Sequence, residues 1–195
     1  MIKHLQIDQN SEEWFNARLG HFTASSFKDL FAAKSTAQYQ KAINKVVFER
    51  LTGEVPESFS NDYMERGHEL EPIAKEVYSM QTFNDVIEGG FFCDDWIGAS
   101  PDGLVGPDGL IEVKSPAYNT MINYLLNPSL PSEYKWQVYG QLYITGRAWC
   151  DFMAYHPKLK PLIIRIYPDE AIFNELKAAL KDAIEMVEKR ISLIQ

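Results

Sequence analysis

The stretch that decides the fold lies near the middle of the chain and reads Ser100-Pro101-Asp102-Gly103-Leu104-Val105-Gly106-Pro107-Asp108-Gly109-Leu110-Ile111-Glu112-Val113-Lys114. A proline and a glycine flank Asp102 and indicate a bend, whereas the last five residues form a mostly apolar run that indicates a strand. Successive side chains of a strand point to opposite faces, so Glu112 and Lys114 share one face. Ile111 and Val113 point to the other face, where we expect them to pack. The stretch therefore predicts a bend and a strand that bring two carboxylates and an ammonium group together.

Two carboxylates beside a lysine suit phosphodiester hydrolysis, which needs a shielded phosphate, a hydroxide nucleophile and a stabilised leaving oxygen. One or two Mg²⁺ ions held by carboxylates supply all three, and Mn²⁺ can replace Mg²⁺ because both ions suit oxygen ligands. We expect Asp102 to bridge two ions, with Glu112 and the main-chain carbonyl of Val113 completing one site. Lys114 would then orient the attacking water, help to deprotonate it, or balance developing charge. The alternative is a turn aspartate beside a surface Glu/Lys pair on an edge strand.

The composition is that of one globular domain. The 195 residues include 46% hydrophobic and 24% charged residues, so we expect a single domain over residues 1–195 with a substantial core. Two cysteines, Cys93 and Cys150, are too few for a disulfide framework and indicate a reducing, cytoplasmic setting. The N-terminus lacks the apolar core of a signal peptide, and no apolar run approaches the roughly 18 residues of a membrane span. The net charge of -8 disfavours nucleic acid as a partner, although a nuclease must keep an acidic metal cluster in any case.

The hydrophobic periodicity predicts helices, three strands, two helices, two strands and a last helix. This order indicates an α/β or α+β layer with one mixed sheet, and a polar loop is expected from Gly53 to about Asp62. The predicted helices begin near Ser11, Thr23, Thr36, Tyr63, Met121, Tyr134 and Pro168. The predicted strands are 86–92, 96–99, 110–114, 149–155 and 162–167, and the last is expected to be central because it is nearly all apolar.

The pattern Ser-Pro-Asp-Gly at 100–103 followed by Glu-Val-Lys-Ser-Pro at 112–116 resembles the active-site signature of the lambda-exonuclease/YqaJ-type phage recombination nucleases. These nucleases belong to the PD-(D/E)XK superfamily, and the resemblance extends from about Trp14 to Gly146 through four blocks. It implies a restriction-endonuclease-like αβββαβ core, with a central mixed sheet flanked by helices. It also implies that Ser100 touches the phosphate backbone of the substrate.

The first block combines Trp14-Phe15-Asn16-Ala17-Arg18-Leu19-Gly20 with Thr23-Ala24-Ser25. An arginine fork and a hydroxyl near a helix N-terminus suit a terminal phosphate. The resemblance implies that Arg18 and Ser25 bind the 5′-phosphate of DNA. The alternative is an exposed arginine and a helix cap.

The second block reads Gly67-His68-Glu69-Leu70-Glu71-Pro72. Two small residues, Gly67 and Ala74, flank Glu71 on one side of a predicted helix and leave room for a ligand. The resemblance implies an acidic residue beside the metal site at Glu71 rather than Glu69. The alternative is a solvated glutamate on an amphipathic helix.

The third block is the pattern at 100–116 itself. The fourth block follows it, is predicted to be helical, and reads Tyr134-Lys135-Trp136-Gln137-Val138-Tyr139-Gly140-Gln141. The resemblance implies that Gln137 supports the nucleophilic water or the catalytic lysine. The family often has a second glutamine two residues later, where this chain has Tyr139, and Gln141 lies one turn beyond Gln137. We favour Gln137 as the active-site glutamine, against an amphipathic helix whose polar residues face outwards.

The resemblance implies a Mg²⁺-dependent exonuclease that digests one strand of linear double-stranded DNA from 5′ to 3′, releases mononucleotides and leaves a 3′ single-stranded tail. A single-strand annealing recombinase of the same phage or prophage would take up the tail in the cytoplasm of a bacterial host. Family members commonly form ring-shaped trimers, so a homotrimer is expected by analogy. One alternative is a structure-specific or restriction-like endonuclease with the same core, which would cut closed circles. Another is a catalytically idle DNA-binding module, which would be expected to lack the lysine or an acidic ligand that this chain keeps.

Overall fold

The computed structural model describes residues 1–56 and 62–195, which form two sheets with helices around them. Residues 57–61, in the loop expected after Gly53, lie outside the described residues. No helix of the described part is long and apolar enough to cross a membrane. The elements follow one another as β1 (Lys3–Leu5), α1 (Glu12–Arg18), β2 (Phe22–Thr23), a 3-10 helix (Ala24–Phe31), α2 (Ala37–Thr52), α3 (Asp62–Thr82), β3 (Val86–Ile87), β4 (Phe91–Cys93), β5 (Ile97–Ala99), β6 (Gly103–Val105), β7 (Gly109–Lys114), α4 (Tyr118–Leu126), a 3-10 turn (Ser132–Tyr134), α5 (Lys135–Thr145), β8 (Trp149–Ala154), β9 (Leu162–Ile166) and α6 (Glu170–Ile194).

β7 lies at the centre of the larger sheet, whose order among the described strands is β3-β6-β7-β8-β9. It pairs in parallel with β8 over all six of its residues, but its antiparallel pairing with β6 covers three and ends at Ile111. The end of β7, from Glu112 to Lys114, therefore extends beyond β6. The alternative of a surface Glu/Lys pair on an edge strand is wrong, because β7 is an interior strand of the sheet and Glu112 is completely buried.

Both faces of this sheet are covered. On one face, Leu110 packs in the larger core with residues of β8, α2, α5 and α6. On the other face, Ile111 and Val113 pack in a smaller core with Ala74 of α3, as the alternation of the strand predicts. Glu112 points to the same side as Leu110 and is completely buried. The larger core therefore contains a carboxylate, which costs free energy unless hydrogen bonds compensate it.

The smaller sheet has the order β1-β4-β5-β2 among the described strands, and the sequence did not predict it as a separate sheet. The strand predicted over 86–92 divides at a glycine pair, so that β3 joins the larger sheet and β4 the smaller one. Gly90 has a φ of 65°, and a Cβ on Gly89 would lie 2.1 Å from the carbonyl oxygen of Pro101. Glycine is therefore required where this turn packs against the bend at Asp102.

The capping residues set the helix boundaries. The side chain of Ser11 accepts the N–H of Trp14 at the start of α1, and Thr36 and Asp169 cap α2 and α6 in the same way. α2 ends at Thr52, and its C-cap Gly53 has a φ of 71°, as expected for a glycine C-cap. These helix boundaries are confirmed, whereas the helix predicted to begin near Thr23 is a 3-10 helix.

The expectation that the strand 162–167 is central is wrong, because β9 lies at the edge of the larger sheet beside β8. Leu162 and Ile166 pack against the larger core, and Ile163 packs against the smaller one. An edge strand is therefore apolar here because both of its faces are covered. The mixed α/β class with helices flanking the sheets is confirmed, with two mixed sheets in place of one.

Candidate active site

A cleft of about 470 Å³ opens where β7 extends beyond β6. Residues from α1, α3 and the bend at Asp102 line it together with the end of β7. Among the described residues, its lining includes seven of the nine proposed from the sequence, and the two that lie outside it are Glu112 and Gln137. The seven are Arg18, Ser25, Glu71, Ser100, Asp102, Val113 and Lys114.

The half-buried carboxylate of Asp102 stands beside the end of β7. Its Oδ2 accepts a hydrogen bond from the main-chain N–H of Val113 over 2.6 Å, in the place where β6 no longer pairs with β7. The N–H and C=O of one strand residue point to the same side, so the Val113 carbonyl also points towards the side of Asp102. Burial, and then the nearby charges of Glu112 and Glu71, raise the pKa of Asp102 well above its usual value.

Glu112 lies beneath the cleft and accepts hydrogen bonds from three side chains. Its Oε1 accepts from Lys114 and from the Gln137 amide, and its Oε2 accepts from the Gln141 amide over 2.5 Å. Gln137 and Gln141 lie one turn apart on α5, so one helix face holds both oxygens of the carboxylate. Both glutamines that the sequence left open therefore contact Glu112. These charge-assisted bonds compensate the burial of its charge.

Lys114 connects the buried glutamate to the cleft. Its side chain is 26% exposed, and its Nζ lies 5.4 Å from the centre of the Tyr134 ring. Burial opposes its charge, but the neighbouring carboxylates of Glu112 and Asp102 raise the pKa of Lys114 above its usual value. In this state Lys114 is an ammonium group, which donates hydrogen bonds and cannot accept a proton.

Arg18 and Trp14 lie one turn apart on α1 and share one acceptor at the wall of the cleft. Nη1 of Arg18 and Nε1 of Trp14 donate to Oγ of Ser100 over 3.0 and 2.9 Å, and the guanidinium lies 3.9 Å from the centre of the Trp14 ring. Burial lowers the pKa of Arg18 to about 10. Ser25 is exposed at the edge of the same cleft. The two groups expected to bind a terminal phosphate therefore border the cavity that Asp102 and Lys114 line.

Glu71 reaches the cleft from α3 and forms an ion pair with Lys75, one turn later. The distance from Lys75 Nζ to Glu71 Oε1 is 2.8 Å, and Glu88 Oε1 lies 3.7 Å from the same nitrogen. Sequence reasoning did not identify Lys75, although its i,i+4 spacing from Glu71 indicates such a pair. It also did not assign the indole of Trp14 to the site. The i,i+4 spacing between Trp14 and Arg18 indicates that the two side chains lie side by side.

The chemistry of these donors fits a divalent metal ion such as Mg²⁺. Asp102 and Glu71 face the cleft and Glu112 lies beneath it, close enough for both glutamates to raise the pKa of Asp102. A cation relieves repulsion of this kind between carboxylates. Among the side chains that the structure describes, no three from Asp, Glu, His or Cys are grouped as a ready metal cage. The acidic side chains in the lining of the cleft are Asp102 and Glu71, and the main chain at Val113 lies beside them.

Known proteins resemble the chain over most of its length. Two crystal structures of the alkaline exonuclease LHK-Exo from Laribacter hongkongensis, one in complex with dAMP, are 36% and 37% identical to it. Each match covers 94% of this chain and 96% of the other, with a TM-score of 0.87. A phage related exonuclease from Haemophilus somnus is 14% identical, with a TM-score of 0.69 over 93% of this chain and 100% of the other, which shows likeness of fold alone.

Two further matches concern the sequence. An uncharacterised protein of Acanthamoeba polyphaga mimivirus is 27% identical over 76% of this chain, and the match spans 29% of that protein's length. The family model of the YqaJ-like viral recombinase domain matches residues 13–148, which include every site residue described above. The chain therefore belongs to the YqaJ-like viral recombinase domain family.

Proposed function

We propose that the chain is a Mg²⁺-dependent 5′-to-3′ exonuclease that acts on linear double-stranded DNA. It releases mononucleotides and leaves a 3′ single-stranded tail for recombination by strand annealing. The arrangement of one cleft carries the proposal, because Asp102 and Lys114 share that cleft with Arg18. Groups that suit phosphodiester cleavage and a group that suits phosphate recognition therefore border one cavity. An endonuclease needs the first groups but not a pocket for a terminal phosphate.

The proposed cofactor is a pair of Mg²⁺ ions, which Mn²⁺ can replace. Asp102, Glu71, Glu112 and the main-chain carbonyl of Val113 would hold them. When bound there, Mg²⁺ neutralises phosphate charge and supplies a hydroxide nucleophile at neutral pH. The hydrogen bond from Val113 N–H to Asp102 supports this assignment, because it fixes a carboxylate beside the cleft before any ligand arrives.

Lys114 would hold the attacking water or balance the charge that develops on the phosphate. Its ammonium group is oriented by Glu112, which Gln137 and Gln141 hold in turn. Gln137 would therefore support the reaction through Glu112 and Lys114, rather than by contact with the DNA.

Arg18 and Ser25 would bind the 5′-phosphate, and Ser100 would touch the phosphate backbone. A guanidinium offers two parallel donors to a phosphate. The Ser100 oxygen accepts from both Trp14 and Arg18, so its own proton is left to be donated to a phosphate oxygen.

The similarity to LHK-Exo supports an exonuclease that releases mononucleotides. That protein is an alkaline exonuclease, and one of its structures is a complex with dAMP, which is a mononucleotide. We further propose a homotrimer that encloses DNA, and a single-strand annealing recombinase as partner. The setting would be the cytoplasm of a bacterial host that carries the phage or prophage.

One assay tests the function. The purified protein is incubated with Mg²⁺ and three DNA substrates: linear duplex with 5′-phosphate ends, the same duplex with 5′-hydroxyl ends, and closed circular duplex. We expect rapid loss of the phosphorylated duplex with release of mononucleotides, slower loss of the hydroxyl form, and intact circles. Chelation of the metal with EDTA should stop all digestion.

The same assay distinguishes the alternatives. Cleavage of the circles would favour a structure-specific or restriction-like endonuclease. No digestion with Mg²⁺ or Mn²⁺ would favour a catalytically idle DNA-binding module. With linear duplex labelled at the 5′ or the 3′ ends, loss of the 3′ label before the 5′ label would contradict the proposed 5′-to-3′ polarity.

A further inference from the structure

Lys75 is a cation that pairs with Glu71 at the wall of the cleft, and the function proposed above gives it no task. Its Nζ lies 2.8 Å from Glu71 Oε1, with the two side chains 16% and 23% exposed. A comparable i,i+4 pair on α6, Lys181 with Glu185, has a distance of 4.0 Å and side chains that are 76% and 63% exposed. Solvated pairs of that kind contribute little. The Lys75–Glu71 pair differs because it is short and shielded from water.

The position of Lys75 bears directly on the carboxylates that border the cleft. It contacts Oε1 of Glu71, and Glu88 lies on its other side at 3.7 Å. Glu71 in turn lines the same cleft as Asp102. An ammonium group in this place balances part of the negative charge of Glu71 and Glu88 and repels a second cation that approaches Glu71.

We propose that Lys75 is the resident cation with which a divalent metal ion competes at Glu71, so that Lys75 sets the metal concentration that the cleft requires. The inference rests on the function proposed above and concerns a residue outside the proposed ligand set. A second consequence concerns the metal-free protein, in which Lys75 relieves repulsion between Glu71 and its acidic neighbours. Removing the charge of Lys75 should therefore tighten metal binding and destabilise the metal-free protein.

Isothermal titration calorimetry with Mn²⁺, on metal-free protein without DNA, measures the first effect. A charge at this range changes the proton affinity of a carboxylate by about one unit or more, so we expect Lys75→Met to lower the Kd for Mn²⁺ about tenfold. Lys75→Arg keeps the charge, so its Kd for Mn²⁺ should be close to that of the unchanged protein. Lys181→Met removes the exposed cation of the comparable pair and should leave the Kd unchanged. Thermal unfolding with and without Mn²⁺ should show the largest metal-induced rise in Tm for Lys75→Met.

The outcomes separate this inference from the function on which it rests. An equal or higher Kd in folded Lys75→Met would overturn the role of Lys75 while leaving the metal site in place. Lack of Mn²⁺ binding by the unchanged protein would overturn the proposed metal dependence and this inference together. If Lys75→Met does not fold, Lys75→Gln replaces it, because it keeps a hydrogen-bond donor but removes the charge. Its Kd for Mn²⁺ is then compared with that of the unchanged protein.

Discussion

The main-chain N–H of Val113 donates a hydrogen bond to Oδ2 of Asp102 over 2.6 Å. β6 and β7 stop pairing at Ile111, so the carboxylate takes the place of the next main-chain acceptor. The bend and the strand end are thereby held together, with the acidic group facing the cleft. The bond requires an acceptor but no charge, which makes the two roles of Asp102 separable by substitution.

Asp102→Asn should lower the nuclease activity by several orders of magnitude. Its amide oxygen still accepts the hydrogen bond from Val113 N–H. Folding raises the pKa of Asp102, so ionisation of this carboxyl opposes folding. The stability should therefore fall as the pH rises from the ordinary carboxyl pKa towards the raised pKa of the folded protein. Without metal at pH 8, we therefore expect Asp102→Asn to be more stable than the unchanged protein, by about 2–4 °C in Tm. The difference should shrink as the pH approaches 4, and a lower Tm at pH 8 would contradict the argument.

Asp102→Ala is the matched variant, since it removes the charge and the acceptor together. It should be equally inactive but about 1–3 kcal/mol less stable than Asp102→Asn, because the Val113 N–H loses its partner in a half-buried position. Urea unfolding of both variants measures the difference. Equal stabilities would mean that the hydrogen bond from Val113 contributes nothing to the fold.

Gln141→Leu should destabilise the protein more than Gln137→Leu. Gln141 is 1% exposed and donates to Oε2 of the buried Glu112, whereas Gln137 donates to Oε1, which Lys114 also contacts. Leaving Oε2 without its donor should cost about 1–3 kcal/mol, measured by urea unfolding. Both variants should lower kcat by roughly 10–100-fold, the range typical of residues that orient a metal-site ligand. An unchanged kcat in Gln141→Leu would exclude it from positioning Glu112.

Arg18→Ala should bring the rate on 5′-phosphorylated duplex close to the rate on 5′-hydroxyl duplex, because the guanidinium that borders the cleft is lost. Arg18→Lys should restore little of the preference, since an ammonium group lacks the two parallel donors. Arg147→Ala is the control, because Arg147 donates to the carbonyl of Gly109 at the opposite end of β7. An unchanged ratio of the two rates in Arg18→Ala would remove Arg18 from the proposed pocket.

The sequence predicted the parts of the fold and site that depend on local pattern. Alternation along β7 correctly separated Glu112 from Ile111, and the caps at Ser11 and Gly53 correctly marked helix ends. It could not predict that Glu112 is buried beneath the cleft, because the burial is compensated by a hydrogen bond from Gln141, which lies 29 residues later in the chain. β1 and β2, with three and two residues, carry too little periodicity to be recognised, so the smaller sheet was not predicted as a separate sheet.

The anchoring of α3, which carries Glu71, leads to a last prediction. Tyr78 lies two turns after Glu71, and its hydroxyl donates to Asp151 over 2.7 Å, while Arg165 donates to both oxygens of the same carboxylate. Tyr78→Phe keeps the buried ring and removes the bond, so it should cost about 1 kcal/mol in urea unfolding.

The Kd for Mn²⁺ should change less than about twofold in Tyr78→Phe, because packing in the smaller core still holds α3 and Arg165 still satisfies Asp151. Asp151→Ala is the matched variant. It leaves the Tyr78 hydroxyl without its acceptor in the core and should cost about 1–3 kcal/mol. A large increase in Kd for Tyr78→Phe without loss of stability would mean that this one bond, rather than the packing of the helix, sets the position of Glu71.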